Sequence, residues 1–495
     1  MGLCLPLAVL LGYFVAQPLD SVSLAVVFMV LAVLCVPLFM KWHHPLLVLT
    51  WNACASPVFL PGRPSLWMVI ALGSTVFAFL ARSVNSHRQS LQVSSITRPL
   101  VCLALIVMAT AFLRGGIGVR SLGSDRYGGR SYFFILAAVC GYFALSSQRI
   151  PPHRAALYVS MFFLSGLTAL IGDLAFWGGS KFSFLFYLFS PDLQSDSLTG
   201  LNDPQAMVRL GCLSVAGAAV YGWLLARYGI RGVFTLSRPW RLCLMVMAIA
   251  GGLISGYRSS TIFSALIFAC VFCLEGLHRT RLLPIMAAIG LLATVIVLPH
   301  AERLPIMVQR ALSFLPAVPV NPLAKEAAQA STAWRIEMWK QVLPDVPKYL
   351  LVGKGYVIDP NDLFLAQQSA HRGFSIQAAA SLVSGDYHNG PLSILIPFGI
   401  FGLGAFIWVL AASVRVLYYH HRFGDPALQS VNTLLLSAFV AKILLFVFIF
   451  GGLSSDLSIF LGLVGMSISL NGAPQAATEP ESSPEGLTIF PERVY

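Results

Sequence analysis

The stretch that decides the fold is residues 241–299, RLCLMVMAIAGGLISGYRSSTIFSALIFACVFCLEGLHRTRLLPIMAAIGLLATVIVLP. It contains three apolar runs, which we place at 241–257, 259–276 and 283–299. Each run approaches the roughly 20 apolar residues that a helix needs to cross a bilayer. A tight turn joins the first two runs, and a basic turn joins the last two. This pattern predicts successive antiparallel membrane helices.

The composition of the whole chain extends this prediction to an all-α polytopic membrane protein. Of the 495 residues, 57% are hydrophobic and only 11% are charged. A soluble protein carries about 25% charged residues, so a soluble fold is excluded. We predict fourteen membrane helices, at 5–17, 22–40, 44–60, 66–82, 99–113, 131–146, 155–175, 206–226, 241–257, 259–276, 283–299, 391–415, 429–451 and 455–470.

The basic residues predict the orientation of these helices. With a cytoplasmic N-terminus, fourteen lysines and arginines fall on cytoplasmic turns, where Glu275 and Asp425 are the acids. This is the positive-inside distribution, and it places both termini in the cytoplasm. The predicted parts are membrane helices 1–11 (1–299), a large extracytoplasmic loop (300–390), membrane helices 12–14 (391–470) and a disordered cytoplasmic tail (471–495).

The net charge of +12 is explained by the same cytoplasmic residues. No soluble basic domain exists to bind a polynucleotide, so we expect no nucleic-acid partner. Familiar catalytic patterns are also absent from the sequence: there is no G-x-S-x-G, no H-E-x-x-H, no P-loop and no cluster with metal-ligand spacing. We therefore expect neither a metal nor a cofactor.

An arginine-rich loop on the outer side departs from the positive-inside distribution. The segment RGGIGVRSLGSDRYGGR at 114–130 carries four arginines against one acid, Asp125. Guanidinium groups bind phosphate bidentately, and glycines let backbone N–H groups approach an anion. The alternative is that these arginines contact phosphates of membrane lipids. The candidate phosphate ligands are Arg114, Arg120, Arg126 and Arg130.

Two more arginines lie near the outer surface. Asn202-Asp203-Pro204 is typical of a helix start, so we place Arg209 about five residues inside a span, where it binds a substrate or snorkels outward. Arg258 falls in the turn LISGYRSSTIF, which is so tight that this residue lies at the outer membrane surface. Its simpler interpretation is a turn arginine in the headgroup layer.

The large outer loop contains a predicted helix, STAWRIEMWKQVL at 331–343. Ser331 or Thr332 can cap it, and Pro344 ends it. Ile336, Trp339 and Leu343 form an apolar stripe at helical spacing, which we expect to lie on the membrane or on the helix bundle. Arg335 stands beside this stripe, where it can point into a site.

The end of the loop, DYHNGPLSILIPFGIFGLG, places a histidine above a membrane helix. Pro391 suits the first helical turn, with Asn389 or Gly390 as the cap. His388 then lies at the partly positive helix N-terminus, which attracts anions and keeps an imidazole neutral near pH 7, as a general base requires. The simpler interpretation of a lone interfacial histidine is that it has no catalytic role.

Three motifs around this loop, taken together, resemble the O-antigen ligase / O-antigen polymerase family of membrane glycosyltransferases. SGYRS at 255–259 is similar to the family's Ser-Gly-x-Arg-Ser/Gly. WRIEMW at 334–339 followed by VGKG at 352–355 is similar to its Arg-x-x-x-Trp and Gly-x-Gly patterns. His388-Asn389 followed by GIFG at 399–402 is similar to its His-Asn and Gly-x-x-Gly.

A fourth segment resembles the family less completely. TGLNDP at 199–204 is similar to an upstream Gly-x-x-x-Asn/Asp-Pro motif, but Ser197 stands where the family has an arginine. The resemblance covers about residues 190–415. It implies a membrane glycosyltransferase of GT-C-like architecture in a bacterial inner membrane.

The resemblance also implies a reaction. The family passes a glycan from a polyprenyl-diphosphate donor to a hydroxyl of a glycan, lipid or protein acceptor, without metal or nucleotide. We assign Arg258 and Arg335 to the diphosphate, His388 to the acceptor hydroxyl, and Arg209 and Asn389 to substrate binding. Two alternatives remain: a secondary transporter of an anionic substrate, which would use Arg209 and Lys442, and a non-catalytic scaffold of a polysaccharide assembly complex.

Overall fold

The computed structural model describes most of the chain. The described residues are 36–37, 39–58, 60, 63–84, 91, 93–115, 129–191, 193–195, 208–313, 318–357, 385 and 387–474, with Pro6, Val9 and Gly12. Most of the predicted spans 5–17 and 22–40, and the predicted tail from residue 475, lie outside them. Arg120 and Arg126 also lie outside the described residues.

Helices dominate the described residues. A first helical stretch covers residues 39–50. The later helices are α1 (Leu66–Val84), α2 (Ser94–Arg114), α3 (Gly129–Leu145), α4 (Ala155–Leu164), α5 (Ala169–Trp177), α6 (Gly211–Val233), α7 (Trp240–Ile254), α8 (Arg258–Leu274), α9 (Leu282–Val297), α10 (Ile306–Leu312), α11 (Pro322–Val342), α12 (Val346–Tyr349), α13 (Leu392–Phe423), α14 (Gln429–Phe448) and α15 (Leu453–Asn471).

Short elements connect these helices. The two strands β1 (Leu193–Ser195) and β2 (Val208–Leu210) pair antiparallel as a small ribbon. Turns of 3₁₀-helix cover Pro152–Arg154, Ser165–Thr168, Ser180–Tyr187, Leu277–Arg279, Leu298–Arg303, Leu343–Asp345 and Pro426–Leu428.

The lengths of the helices support a membrane protein. Among the described residues, seven helical segments are long and apolar enough to cross a bilayer, and three shorter apolar helices are α3, α7 and α8. Ten of the predicted spans coincide with these segments. A helical membrane protein is therefore confirmed, whereas the count of fourteen spans and their orientation remain predictions.

The core lies between the C-terminal helices and the first half of the chain. α15 is buried along most of its length, and α14 nearly as much. Aromatic side chains fill the centre, including Phe406, Phe439 and Phe460. Inside this core, Lys442 Nζ lies 2.7 Å from Asp456 Oδ1, and Asp456 also accepts a hydrogen bond from the Gly452 N–H. Pairing lowers the cost of burying either charge within a span.

α13 is broken at Gly399, whose φ is +65°. Pro397 lacks an N–H and interrupts the helical hydrogen bonds just before the break. The backbone of residues 350–355 forms hydrogen bonds with the groups that lose their helical partners at the break. The Lys354 and Gly355 N–H groups donate to the Ile396 and Pro397 carbonyls, and the Ile400 N–H donates to the Leu350 carbonyl, at 2.7–2.9 Å. Irregular backbone at membrane depth requires such partners.

Candidate functional site

Four arginines face one cavity near the ends of α8 and α14. The cavity has a volume of about 180 Å³, and we call it the arginine pocket. None of its lining residues, all of them described, carries a carboxylate. The lining residues are Arg209, Gly256, Tyr257, Arg258, Ser259, Ile262, Arg310, Ser331, Thr332, Arg335 and Ile449. Such a concentration of guanidinium groups is suited to an anion with several negative charges.

Arg258 enters the pocket from the turn between α7 and α8. Gly256 makes the turn with a φ of +77°, and a Cβ there would come within 2.9 Å of the Met307 sulfur. Arg258 is then the first residue of α8. Its Nη2 lies 3.2 Å from the Ala328 carbonyl oxygen and 3.5 Å from Thr332 Oγ1. These contacts orient the guanidinium towards α11. The turn is tight, as predicted, because α7 ends at Ile254 and α8 begins at Arg258.

Arg209 reaches the pocket from β2. The sequence prediction placed it inside a membrane helix, and this is wrong, because α6 begins at Gly211 and residues 208–210 form a strand. The strand pairs with β1, and the Leu210 N–H donates to the Ser255 carbonyl, which ties it to the α7–α8 turn. The Arg209 guanidinium lies 5.7 Å from the Tyr257 ring centroid. Because Arg209 lies in the strand before α6, its guanidinium stays outside the apolar helix, where desolvation of the charge would be costly.

Arg335 comes from α11, which is longer than predicted. The sequence prediction began this helix at Ser331 or Thr332, but it begins at Pro322. The Asn321 side chain caps it by accepting from the Leu323 N–H at 2.9 Å, the same Asn and Pro signal that was used for the helix after His388. The predicted end near Pro344 is correct. The Arg335 guanidinium lies 5.8 Å from the Phe450 ring centroid.

His388 lies beside Arg335, between two aromatic rings. Its ring centroid is 5.3 Å from that of Trp334 and 4.8 Å from that of Phe450. Burial, and then the nearby charge of Arg335, lower the pKa of His388 from 6.5 to about 4. The imidazole is therefore neutral near pH 7, as predicted. The prediction attributed the neutral imidazole to the helix N-terminus, whereas burial and the charge of Arg335 lower its pKa.

Backbone contacts fix the segment that carries His388. The Trp339 indole N–H donates to the Tyr387 carbonyl at 2.9 Å, and the Gly390 N–H donates to the Phe446 carbonyl at 3.2 Å. Asn389 Oδ1 accepts from the Leu392 N–H, so the predicted cap is confirmed. His388 itself has a φ of +49°, which non-glycine residues seldom adopt. Contacts on both sides hold this conformation.

Two other predicted arginines that the structure describes, Arg114 and Arg130, lie outside the lining of the arginine pocket. Arg114 Nε and Nη2 donate to the Gly353 and Val352 carbonyls at 2.9 and 3.2 Å, so this side chain holds the VGKG turn. The Arg130 guanidinium lies 5.2 Å from the Phe134 ring centroid.

Sequence reasoning missed Arg310. It belongs to α10, in the outer segment IMVQRALSF, and it is only 3% exposed. The available signal was a single basic residue inside an apolar run of the loop predicted to be extracytoplasmic. Among the described residues, no group of three or more His, Cys, Asp or Glu side chains is arranged to hold a metal ion.

The VGKG turn gives a first prediction. A Cβ on Gly353 would overlap the Pro397 carbonyl oxygen at the break in α13. Gly353→Ala should therefore displace the turn and lower the melting temperature of the purified protein, since overpacking costs on the order of 1–3 kcal/mol. Gly404→Ala on α13 is the control, because no atom lies within 4 Å of its added Cβ. Equal melting temperatures for both variants would contradict the close packing of the turn against α13.

Comparison with known proteins agrees with these motifs. No curated protein matches the chain. Residues 243–407 match the family model described as O-antigen ligase, and this range contains Arg258, Arg310, Arg335 and His388. The resemblance seen in the sequence is thereby confirmed over residues 243–407, which are similar to the O-antigen ligase family.

Proposed function

We propose that the chain transfers a glycan from a polyprenyl-diphosphate donor to an acceptor hydroxyl at the outer face of a bacterial inner membrane. The observation that carries this proposal is the arginine pocket: four guanidinium groups face one cavity without a carboxylate, and His388 lies next to one of them. An O-antigen ligase domain is consistent with glycosyl transfer. The donor, the mechanism and the location are parts of the proposal.

The diphosphate is the leaving group in this reaction. As the bond between the sugar and the diphosphate breaks, negative charge develops on the phosphate oxygens, and fixed cations stabilise it. Arg258 and Arg335 approach the pocket from α8 and α11, so they can hold a diphosphate from two sides. The chain thus supplies positive charge from its own side chains, which supports a metal-independent reaction.

The acceptor hydroxyl needs a base. We assign this role to His388, whose lowered pKa keeps the imidazole neutral. The acceptor oxygen attacks the anomeric carbon, the bond from that carbon to the diphosphate oxygen breaks, and the hydroxyl proton moves to the imidazole. Because attack occurs opposite the leaving diphosphate, the anomeric configuration is inverted.

Binding of the donor should raise the pKa of His388. In the free protein, Arg335 disfavours a second positive charge on the imidazole. A diphosphate bound at Arg335 offsets that field and raises the pKa of His388 towards its ordinary value. The imidazole therefore becomes a stronger base when the donor is in place, which couples proton transfer to donor binding.

This coupling predicts two different pH profiles. A pKa of about 4 means that His388 gains its proton only at low pH, so kcat/KM should stay level down to about pH 5. An ordinary histidine would be only about one quarter neutral at pH 6. The fall in kcat should occur at higher pH than the fall in kcat/KM, because kcat reports the donor-bound protein. If both profiles fall near pH 6.5, burial and the charge of Arg335 do not lower the pKa of His388 as the structure indicates.

The proposed function is tested with the purified protein in detergent. Glycan transfer from a purified lipid-linked donor to an acceptor, in the presence of a chelator, is the expected result. A deletion strain distinguishes the two forms of the reaction. Chains that stay on the lipid carrier indicate a ligase, whereas single repeat units on the acceptor indicate a polymerase.

Two broken helices among the described residues also suit a transporter. In α6, Gly229 has a φ of +60°, and the Ile230 N–H donates to Glu275 Oε1 at 2.9 Å. In α13, backbone groups of residues 350–355 form hydrogen bonds with the backbone on both sides of the break at Gly399. Both breaks are thus bound by the chain itself, which favours the transferase. Uptake of a labelled anion into vesicles without glycan transfer would favour the transporter.

A further inference from the structure

A second cavity lies at the opposite end of α8 from the arginine pocket. It has a volume of about 150 Å³, and we call it the apolar cavity. Arg258, in the arginine pocket, begins α8, whereas Phe272, in the apolar cavity, lies close to the end of the helix at Leu274. Positions 258 and 272 are about 21 Å apart along the helix axis. The lining residues of the apolar cavity are Ile230, Arg231, Phe234, Phe272, Leu282 and Met286.

The apolar cavity lies where α9 meets the rest of the helix bundle. Leu282 and Met286 of α9 are partly buried against the core, but α9 contains no fully buried residue. The segment Leu282–Arg303 has a mean hydropathy of 2.4, so lipid must surround most of this helix. An apolar space between such a helix and the bundle favours a hydrocarbon chain over water.

Arg231 supplies the positive charge in the lining of this cavity. Its side chain is exposed, and its Nη2 lies 3.4 Å from the Glu275 carbonyl oxygen, a long contact with a neutral acceptor. The Glu275 carboxylate is directed to the break in α6, where Oε1 accepts from the Ile230 N–H at 2.9 Å. Arg279 and Arg281 lie exposed in the turn between α8 and α9. The guanidinium of Arg231 is therefore accessible to an anion, and the neighbouring turn adds positive charge.

We propose that the apolar cavity binds one acyl chain of an anionic phospholipid, whose phosphate lies at Arg231. The chain fills the space between Phe234, Phe272 and Met286, and it joins α9 to α6 and α8. The lining arginine and the turn at 279–281 belong to the side predicted to be cytoplasmic, so the lipid comes from that leaflet. Arginines at the membrane surface favour a net negative headgroup over a zwitterionic one. The site is separate from the arginine pocket and does not depend on the proposed transfer reaction.

The experiment measures the affinity of the first bound lipid by native mass spectrometry of the full-length protein in detergent. The probes are phosphatidylglycerol and phosphatidylcholine with the same acyl chains. The wild type should bind phosphatidylglycerol at least about fivefold more tightly than phosphatidylcholine, and Arg231→Gln should lose about fivefold in affinity for phosphatidylglycerol, which is the usual contribution of one arginine near lipid headgroups. Arg238→Gln is the matched control, because Arg238 is exposed on the same predicted side and does not line the cavity. It should bind like the wild type.

The place of the acyl chain is tested by filling the cavity. Met286→Trp should lower the affinity for phosphatidylglycerol at least about fivefold, because the methylenes of the chain lose their buried position. Ile289→Trp is the matched control on the same helix: Ile289 is 51% exposed and does not line the cavity. Glycerol 3-phosphate, which carries a phosphate without acyl chains, should not compete with phosphatidylglycerol.

Each outcome decides the inference. Wild-type affinity in Arg231→Gln overturns it, and so does equal affinity of the wild type for the two lipids. Wild-type affinity in Met286→Trp also overturns it, and competition by glycerol 3-phosphate would indicate a site for a free phosphate instead. If Met286→Trp is not monodisperse after purification, Arg231→Gln decides alone, since its side chain is exposed. These measurements need neither a glycan donor nor an acceptor, so their failure leaves the proposed function intact.

Discussion

His388→Asn should lower the rate of glycan transfer by about 10²–10⁴-fold, which is the usual contribution of a general base. The imidazole lies between Trp334 and Phe450, with Arg335 beside it. Loss of the base leaves the acceptor hydroxyl with no group to receive its proton, while the arginine pocket remains. We therefore expect kcat to fall and pyrophosphate affinity to stay close to that of the wild type.

Asparagine is the better replacement because of the backbone. His388 has a φ of +49°, a conformation in which asparagine is enriched and alanine is strained. His388→Ala thus combines loss of the base with strain, whereas His388→Asn removes the base alone. A comparison of the two melting temperatures separates these effects, and His388→Ala should be the less stable variant.

His300 provides the matched control. It is an exposed histidine at the start of the predicted loop, and its ring contacts the Ile296 carbonyl of the preceding helical turn. His300→Asn should transfer glycan at the wild-type rate. If His388→Asn also turns over normally, His388 only precedes a helix start and the acceptor proton leaves by another route.

The sequence predicted the helices well because apolar length is a local property. The spans at 66–82 and 455–470 correspond to α1 and α15 within a few residues. The start of α11 was misplaced because Ser331 and Thr332 offered a cap that the helix does not need. The stronger signal at Asn321-Pro322 lies ten residues earlier, where the apolar pattern used for the prediction had not yet begun.

The sequence predicted only part of the site, because only some of its residues have a local signal. Arg258, Arg335 and His388 each stand in a recognisable local context, namely a tight turn, a helix face and a helix start. Their convergence depends on tertiary contacts, such as the hydrogen bonds from Arg258 to Ala328 and Thr332. Arg310 has no local signal of this kind, because its position depends on a tertiary contact of its neighbour: Gln309 Oε1 accepts from the Asn321 N–H, just before α11.

A basic residue outside the pocket shows how composition can mislead a prediction from sequence. Arg114 was predicted to bind a phosphate because it begins a glycine-rich basic loop. In the structure its guanidinium donates to two carbonyls of the VGKG turn. Carbonyl oxygens and phosphate oxygens present the same kind of acceptor to an arginine, so composition alone does not distinguish the two roles.

Arg258→Lys should lower glycan transfer by on the order of 10²-fold, although the positive charge is kept. Arg258 already donates to the Ala328 carbonyl and lies near Thr332 Oγ1, so its guanidinium bridges α11 and the pocket. An ammonium is a point donor and cannot maintain both the bridge and a bidentate phosphate contact. Arg258→Ala, which also loses the charge, should fall further.

The measurement is the steady-state rate with a purified lipid-linked donor, together with pyrophosphate affinity. Because the developing charge is greatest as the diphosphate leaves, Arg258→Lys should lower kcat more than it raises the KM for the donor. Arg303→Lys, at an exposed position, should change neither quantity. If Arg258→Ala and Arg335→Ala both keep wild-type rate and affinity, the diphosphate does not bind in the arginine pocket. The arginine-rich loop at 114–130 then becomes the next place to search for its site.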